Sequence, residues 1–224
     1  MTPGTDSAAL PLTTAQLEVW RAQHLLGDRN DFVITLLVEI TGPLDLDLAR
    51  ESVHTVIADA DALHVRFDFS GDDPVQYRVD HEWAVEVVDL RASDDPMAAA
   101  RTWIADDVAS ADTSGAGDLF ATALLVLADE HVLWHQRYHH SIVDGFGMSL
   151  IFNEVRERYT DHTRRVAAGD WALEPLVDAD RTYRASDAFQ RDRDYWMSEL
   201  FDAPEPPTLL VGSVDSGDGR AVTE

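Results

Sequence analysis

Cysteine is absent from the 224 residues, which excludes disulfides, thiol nucleophiles and thiolate metal sites while saying little about compartment. Basic side chains are scarce. Lys and Arg together number 17 against 42 Asp and Glu, a formal charge of −25, so nucleic acid and anionic membrane surfaces are repelled. The acidic excess reads first as a solvating surface and only second as a match for a basic partner. No apolar run approaches the ~20 residues of a transmembrane helix, and Met1 to Ala9 lacks the basic start and apolar core of a signal peptide, so a cytoplasmic location is expected. Glycine and proline are few, and no repeat or low-complexity block is evident. The length suits one compact domain or slightly more.

What is there is concentrated between Tyr138 and Gly147, where two histidines, a carboxylate and two glycines fall together. Glu130 to Tyr138 is rich in aromatic and branched residues and reads as a strand. It follows a second apolar strand, Leu119 to Leu127, across a hairpin at Ala128-Asp129-Glu130. Successive strand side chains point to opposite faces, so His139 and His140 go different ways. After Gly145 the apolar positions Phe146, Leu150, Ile151 and Val155 suit a helix to about Tyr159. The histidines therefore sit where a strand opens into a turn before a helix. His140 is the candidate general base, since imidazole is largely neutral near pH 7. Asp144 either orients that imidazole or enters a structural ion pair, and Gly145 and Gly147 allow close approach of a substrate to the backbone. A zinc site from His135, His139, His140 and Asp144 uses legitimate ligands but conflicts with strand alternation. A Ser141–histidine pair lacks the G-x-S-x-G turn that presents a nucleophile.

Elsewhere, Thr13 and Gln16 form a capping-box start for a helix ending near Gly27. Phe32 to Thr41 reads as a buried strand stopped by Gly42-Pro43. Asp47 to about Ala60 reads as a helix with Leu48, Val53, Val56 and Ile57 inward. Short strands are expected near 64–69, 75–79 and 85–90, then a helix from Pro96 to about Ala109, a polar loop from Ser110 to Asp118, and a last helix over about Ser186 to Leu200. Trp and Met at helical positions are read as core. This order describes an α/β fold, a two-layer arrangement of helices on a mixed sheet.

His139-His140-Ser141-Ile142-Val143-Asp144-Gly145 resembles the HHxxxDG motif of the superfamily that holds chloramphenicol acetyltransferase and the condensation domains of nonribosomal peptide synthetases. Three further stretches follow condensation domains in order. Leu12 to Trp20 is similar to their opening motif, Asp61 to Phe67 with Pro74-Val75-Gln76 to their second motif, and Phe189 to Trp196 to a later helix. The wording around Gln136 to Phe146 looks most like condensation domains that open siderophore synthetases. The resemblance implies a chloramphenicol acetyltransferase-like lobe with a tail at 1–10, the N-terminal lobe of a condensation domain at 11–202, and a linker at 203–224 toward an absent C-terminal lobe.

The resemblance further implies that His140 assists attack of an acceptor amine on a donor thioester. Both substrates would ride on phosphopantetheine arms of donor and acceptor carrier proteins, with no cofactor bound by this chain. His139 and Asp144 are mainly structural in the family, and Gly145 offers backbone near the reacting carbonyl. One departure stands out: the arginine that supports the motif aspartate falls on His64. His64 and Arg66 are two apart on a predicted strand and share a face, so Arg66 is expected to support Asp144 instead. With the opening motif so close to Met1, the donor is expected to arrive from another protein, and the lobe alone is expected to be inactive. Two other classes fit the residues: a self-sufficient, trimeric acyltransferase using coenzyme A, and a noncatalytic carrier-binding module. A hydrolytic metalloenzyme is a third rival.

Overall fold

The computed structural model describes residues 9–26, 30–71, 73–164, 169 and 171–202. In chain order these form β1 (Leu10–Pro11), α1 (Thr14–Leu26), β2 (Val33–Thr41), α2 (Leu46–Asp59), β3 (Val65–Asp68), β4 (Val75–Arg78), β5 (Glu86–Asp89), α3 (Pro96–Ala109), β6 (Phe120–Ala128), β7 (His131–His139), α4 (Gly145–Thr160), α5 (Glu174–Arg184) and α6 (Asp187–Leu200). Short 3-10 turns occupy Asn30–Phe32 and Asp61–Leu63. The chain divides into two compact units, Met1–Arg181 and Thr182–Glu224. The sequence-based tail falls largely outside the described residues, as does all of the 203–224 linker.

The α/β expectation holds, with one addition: there are two sheets. A four-stranded sheet runs β2-β7-β6-β5, and a three-stranded one runs β1-β4-β3. β7 pairs antiparallel with β2 and β6, while β5 joins β6 in parallel. That parallel pairing requires the crossover that α3 supplies. The hairpin of β6 and β7 lies at the centre of the sheet, and its residues are buried on both faces. One face, with Leu124, Val132, Trp134 and Tyr138, joins Val53, Val56 and Ile57 of α2 and Ile151 and Val155 of α4 in the larger core. The other, with Ala123, Leu125 and Leu133, packs on Ala100 of α3.

Local chemistry sets the helix starts. Asp45, Asp95 and Ser186 each accept a backbone N–H from the third residue on, at Leu48, Ala98 and Phe189, as N-caps do. Thr13 and Gln16 complete the expected capping box in both directions, Thr13 N–H to Gln16 Oε1 at 2.9 Å and Gln16 N–H to Thr13 Oγ1 at 3.3 Å.

Two readings need correction. β2 is an edge strand, not a buried one: Ile34, Leu36, Val38 and Ile40 pack on the larger core while Thr35, Leu37, Glu39 and Thr41 are exposed. An edge strand covered on one side needs only one apolar face. In the second unit, α6 buries no residue, and Trp196 and Met197 are exposed rather than core. That unit is held by Tyr183 donating to Asp192 at 2.7 Å and by Phe189 packing edge-on against Tyr183 and beneath Arg184.

Candidate active site

β7 delivers the two histidines to different environments. His139 lies on the same face as Leu133, His135 and Arg137, and it is buried. Its ring stacks on Trp20 of α1, with centroids 4.8 Å apart and planes 16° from parallel. Gln23, one helical turn beyond Trp20 and therefore on the same face of α1, donates its amide nitrogen to the Thr113 carbonyl at 2.7 Å. Its oxygen is thereby aimed at His139 Nε2, also 2.7 Å away. An amide oxygen only accepts, so Nε2 carries the proton. Nδ1 then accepts from Ser141, whose hydroxyl is at 2.7 Å and whose backbone N–H is at 3.3 Å. With both nitrogens committed, His139 is held neutral. Burial, reinforced by the neighbouring His140, lowers its pKa to about 4.

His140 turns the other way. Its backbone N–H donates to the Phe32 carbonyl at 2.7 Å, and the Ile142 N–H returns to the His139 carbonyl at 3.0 Å, closing a turn at the strand end. The half-exposed imidazole lines a groove of about 810 Å³. The groove is lined by Gln16 and Val19 of α1 with Thr13 just before that helix, by Leu63 and the 141–144 turn, by Leu150 and Ile151 of α4, and by residues of 171–176 with Asp180. Gln16 donates to Gln76 of β4 at 2.9 Å, and Gln76 donates to the Pro11 carbonyl at 3.0 Å, fixing the α1 side.

Asp144 is the N-cap of α4, accepting from Gly147 N–H at 2.7 Å. The expectation that Arg66 supports it is not met: the Arg66 guanidinium donates to Asp118, with His81 on the same carboxylate. The cause is the polar loop, which returns beneath β3, with Phe67 N–H on the Gly115 carbonyl at 3.0 Å, and so brings Asp118 to Arg66. His64 does not reach Asp144 either. It is buried, hydrogen-bonded through Nε2 to the Ile57 carbonyl at 2.9 Å and packed edge-on against Phe120, and its pKa is lowered by that burial. Gly145 opens α4 with nothing within 4 Å of where a Cβ would stand. At Gly147 a Cβ would come within 2.6 Å of the Val143 side chain, so this turn needs glycine for space.

The four side chains considered for zinc are not gathered. His135 is on the His139 face and gives Nε2 to Asp107 of α3 at 2.8 Å. Arg137 joins the same carboxylate from Nε at 2.8 Å. Burial opposes ionisation of Asp107, but these two donors outweigh it and lower its pKa. Among the described residues no cluster of three metal-ligating side chains occurs, and no helix is long and apolar enough to cross a membrane. Sequence reasoning missed Gln23 and Asp107. Gln23 was findable from its helical spacing to Trp20; Asp107 carried no signal.

A motif histidine opening onto a groove, on this mixed sheet, defines a class of protein that sequence comparison makes explicit. The chain belongs to the Condensation domain family, whose model matches residues 7–219. Among curated relatives it is 33% identical over 211 residues to a dimodular nonribosomal peptide synthase of Bacillus subtilis (strain 168), covering 92% of this chain and 9% of that protein. It is 36% identical over 203 residues to an isonitrile lipopeptide synthase of Streptomyces coeruleorubidus, covering 88% and 14%, and 30% identical over 210 residues to enterobactin synthase component F of Escherichia coli (strain K12), covering 91% and 16%. Among solved structures, a mutant starter condensation domain of rhizomide synthetase in complex with C8-CoA and Leu-SNAC superposes with a TM-score of 0.81 at 31% identity, over 92% of this chain and 48% of that one. The first condensation domain of the CDA synthetase gives 0.74 at 28%, over 92% and 53%. The chain thus spans about half of these domains and under a fifth of the curated relatives.

Proposed function

We propose that this chain supplies the histidine-bearing half of an amide-forming condensation site in nonribosomal peptide synthesis. The observation that carries this reading is the division of labour at the strand end: His139 is sealed and neutral, and His140 alone of the pair faces the groove. A donor acyl thioester would lie in the groove with its carbonyl beside His140 and the Gly145 backbone. The acceptor amine, hydrogen-bonded to the imidazole, forms the C–N bond as the C–S bond breaks. The amine proton passes by way of His140 to the departing thiolate. Asp144 and His139 hold the turn that presents His140. Support comes from the family match and from a relative captured with an acyl-CoA and an aminoacyl thioester together.

In this reading both substrates are carried on phosphopantetheine arms of carrier proteins. The opposite wall of the site comes from the part of the domain that the relatives carry beyond the matched stretch. The enterobactin and vanchrobactin synthetases among the relatives favour a siderophore-type assembly line. The test is His140→Ala in a complete condensation domain bearing this stretch, with loaded carrier proteins and product read by mass spectrometry. Loss of at least ~100-fold in amide formation with carrier loading unchanged is expected. Undiminished amide formation would contradict the reading.

A further inference from the structure

His140 occupies the second position of a four-residue turn, 139–142, closed by the Ile142 N–H on the His139 carbonyl at 3.0 Å. The Phe32 carbonyl accepts the His140 N–H at 2.7 Å and holds the strand side of that turn. The other central N–H, that of Ser141, finds its acceptor in the side chain of His139: Nδ1 lies at 3.3 Å, with the Ser141 hydroxyl on the same nitrogen at 2.7 Å. A ring nitrogen accepts only while it carries no proton, whereas a backbone N–H only donates. A proton on Nδ1 would therefore set two donors face to face in a buried site and leave the Ser141 N–H without an acceptor. The turn that carries His140 closes around one tautomer of its neighbour.

What selects that tautomer lies outside the turn. Gln23, 1% exposed, sets its side-chain oxygen 2.7 Å from His139 Nε2. An amide can present oxygen or nitrogen with nearly equal shape, and the choice is made at its far side. There the Thr113 carbonyl, 2.7 Å from the Gln23 nitrogen, can only accept. The 112–118 loop holds that carbonyl in place: the Ser114 N–H donates to Asp112 at 2.7 Å, and the Phe67 N–H donates to the Gly115 carbonyl at 3.0 Å. Gly115 has φ +81°, and a Cβ on it would stand 2.9 Å from the Trp20 ring, so the loop also backs the indole that stacks on His139. Gln23 and the 112–118 loop do not line the groove; they reach it through His139 and Ser141, and Ser141 does line it.

We propose that Gln23 is a positioning residue for amide formation: by holding the His139 proton on Nε2 it leaves Nδ1 free for Ser141, and so fixes how the 139–142 turn offers His140 to the groove. This rests on the reading of His140 as the group that meets the substrates. Gln23 acts on the chemical step and not on substrate capture, because it touches His139 and not the groove, and misplacing a reacting group by about 1 Å can cost ~100-fold in rate. Its effect is also readable without substrate, in the tautomer of His139.

The test uses the same complete domain and loaded carrier proteins as His140→Ala. Gln23→Met, which fills a similar space with neither hydrogen bond, is expected to lower kcat at least ~10-fold and to leave KM for each loaded carrier within about twofold. His139→Phe is expected to lose at least as much, and adding Gln23→Met to it to change kcat by less than about twofold, since the relay is already cut. In the 224-residue chain, ring ¹H–¹⁵N spectra of Gln23→Met at pH 7 are expected to show His139 with a share of its proton on Nδ1. Gln23→Glu places a carboxylate beside Nε2 and should draw the His139 pKa up from about 4 toward about 6. His140 and Asp112, the ionisable groups that act on this ring, are the same in variant and parent. The ratio of variant to parent kcat should therefore rise as pH increases from about 5 to 7. Parental kcat in Gln23→Met, a loss that falls on KM, additivity with His139→Phe, or a ring that keeps its proton wholly on Nε2 would overturn the proposal. If Gln23→Met does not fold, the Gln23→Glu ratio decides, and a ratio independent of pH overturns it. Loss of amide formation in His140→Ala without loss in Gln23→Met refutes only the role of Gln23, whereas amide formation that survives His140→Ala refutes the His140 reading itself.

Discussion

The two faces of β7 carry histidines of identical chemistry into opposite circumstances. On one face, His135 and His139 are fully enclosed, and each has a fixed partner, Asp107 or Gln23. On the other, the face that buries Trp134 and Tyr138 in the core leads to His140, which is partly exposed and lines the groove. A one-residue step along a strand decides whether an imidazole is sealed in the interior or presented to a groove, because the pleat assigns it to a medium before its chemistry is considered.

The comparison breaks most sharply at the sealed face. Asp107→Ala leaves the buried Arg137 guanidinium and His135 without their acceptor, and a loss of about 3–5 kcal/mol in folding stability is expected from urea midpoints. His140→Ala, by contrast, is expected to leave the melting temperature within a degree or two of the parent, because the ring is only partly buried and lines the groove. If the two variants are equally destabilised, the division between faces fails.

The next effect is a pH dependence. The folded state holds His139 neutral with a pKa of about 4, below the unfolded value of about 6.5. The unfolded chain therefore binds the extra proton first, so stability is lost as pH falls through that window, by about 3 kcal/mol at its lower end. Denaturant midpoints at pH 7 and pH 4.5 should show this slope, and His139→Phe should flatten it. A smaller effect attends Asp144→Ala, which removes the α4 cap and is expected to cost about 1 kcal/mol. Smallest is Arg66→Ala. Its partner Asp118 is half exposed, so a loss of at most about 1 kcal/mol is expected. A larger loss of turnover there would restore a link to Asp144 that the geometry does not contain.

Features set by nearby residues were legible in the sequence. The β6–β7 hairpin, the divergence of His139 and His140, the α3 start at Pro96 and the Thr13–Gln16 capping box all follow from periodicity or from pairs within four positions. Contacts across the chain were not legible. Arg66 meets Asp118 and His135 meets Asp107 only because a loop and a helix return to those strands, and nothing local announces either partner. α5 escaped notice because only Val177 is buried along it, leaving almost no apolar stripe to read. β1, two residues long, is defined solely by its pairing to Val75 and Gln76.

The central claim, that adjacent histidines have unequal states, is tested most directly by long-range ¹H–¹⁵N correlation of the histidine rings. With His139→Phe and His140→Ala spectra for assignment, His139 should appear at pH 7 as the neutral tautomer protonated on Nε2 and remain neutral at pH 5.5. A His139 ring that is protonated at pH 5.5, or that carries its proton on Nδ1 at pH 7, would contradict the account.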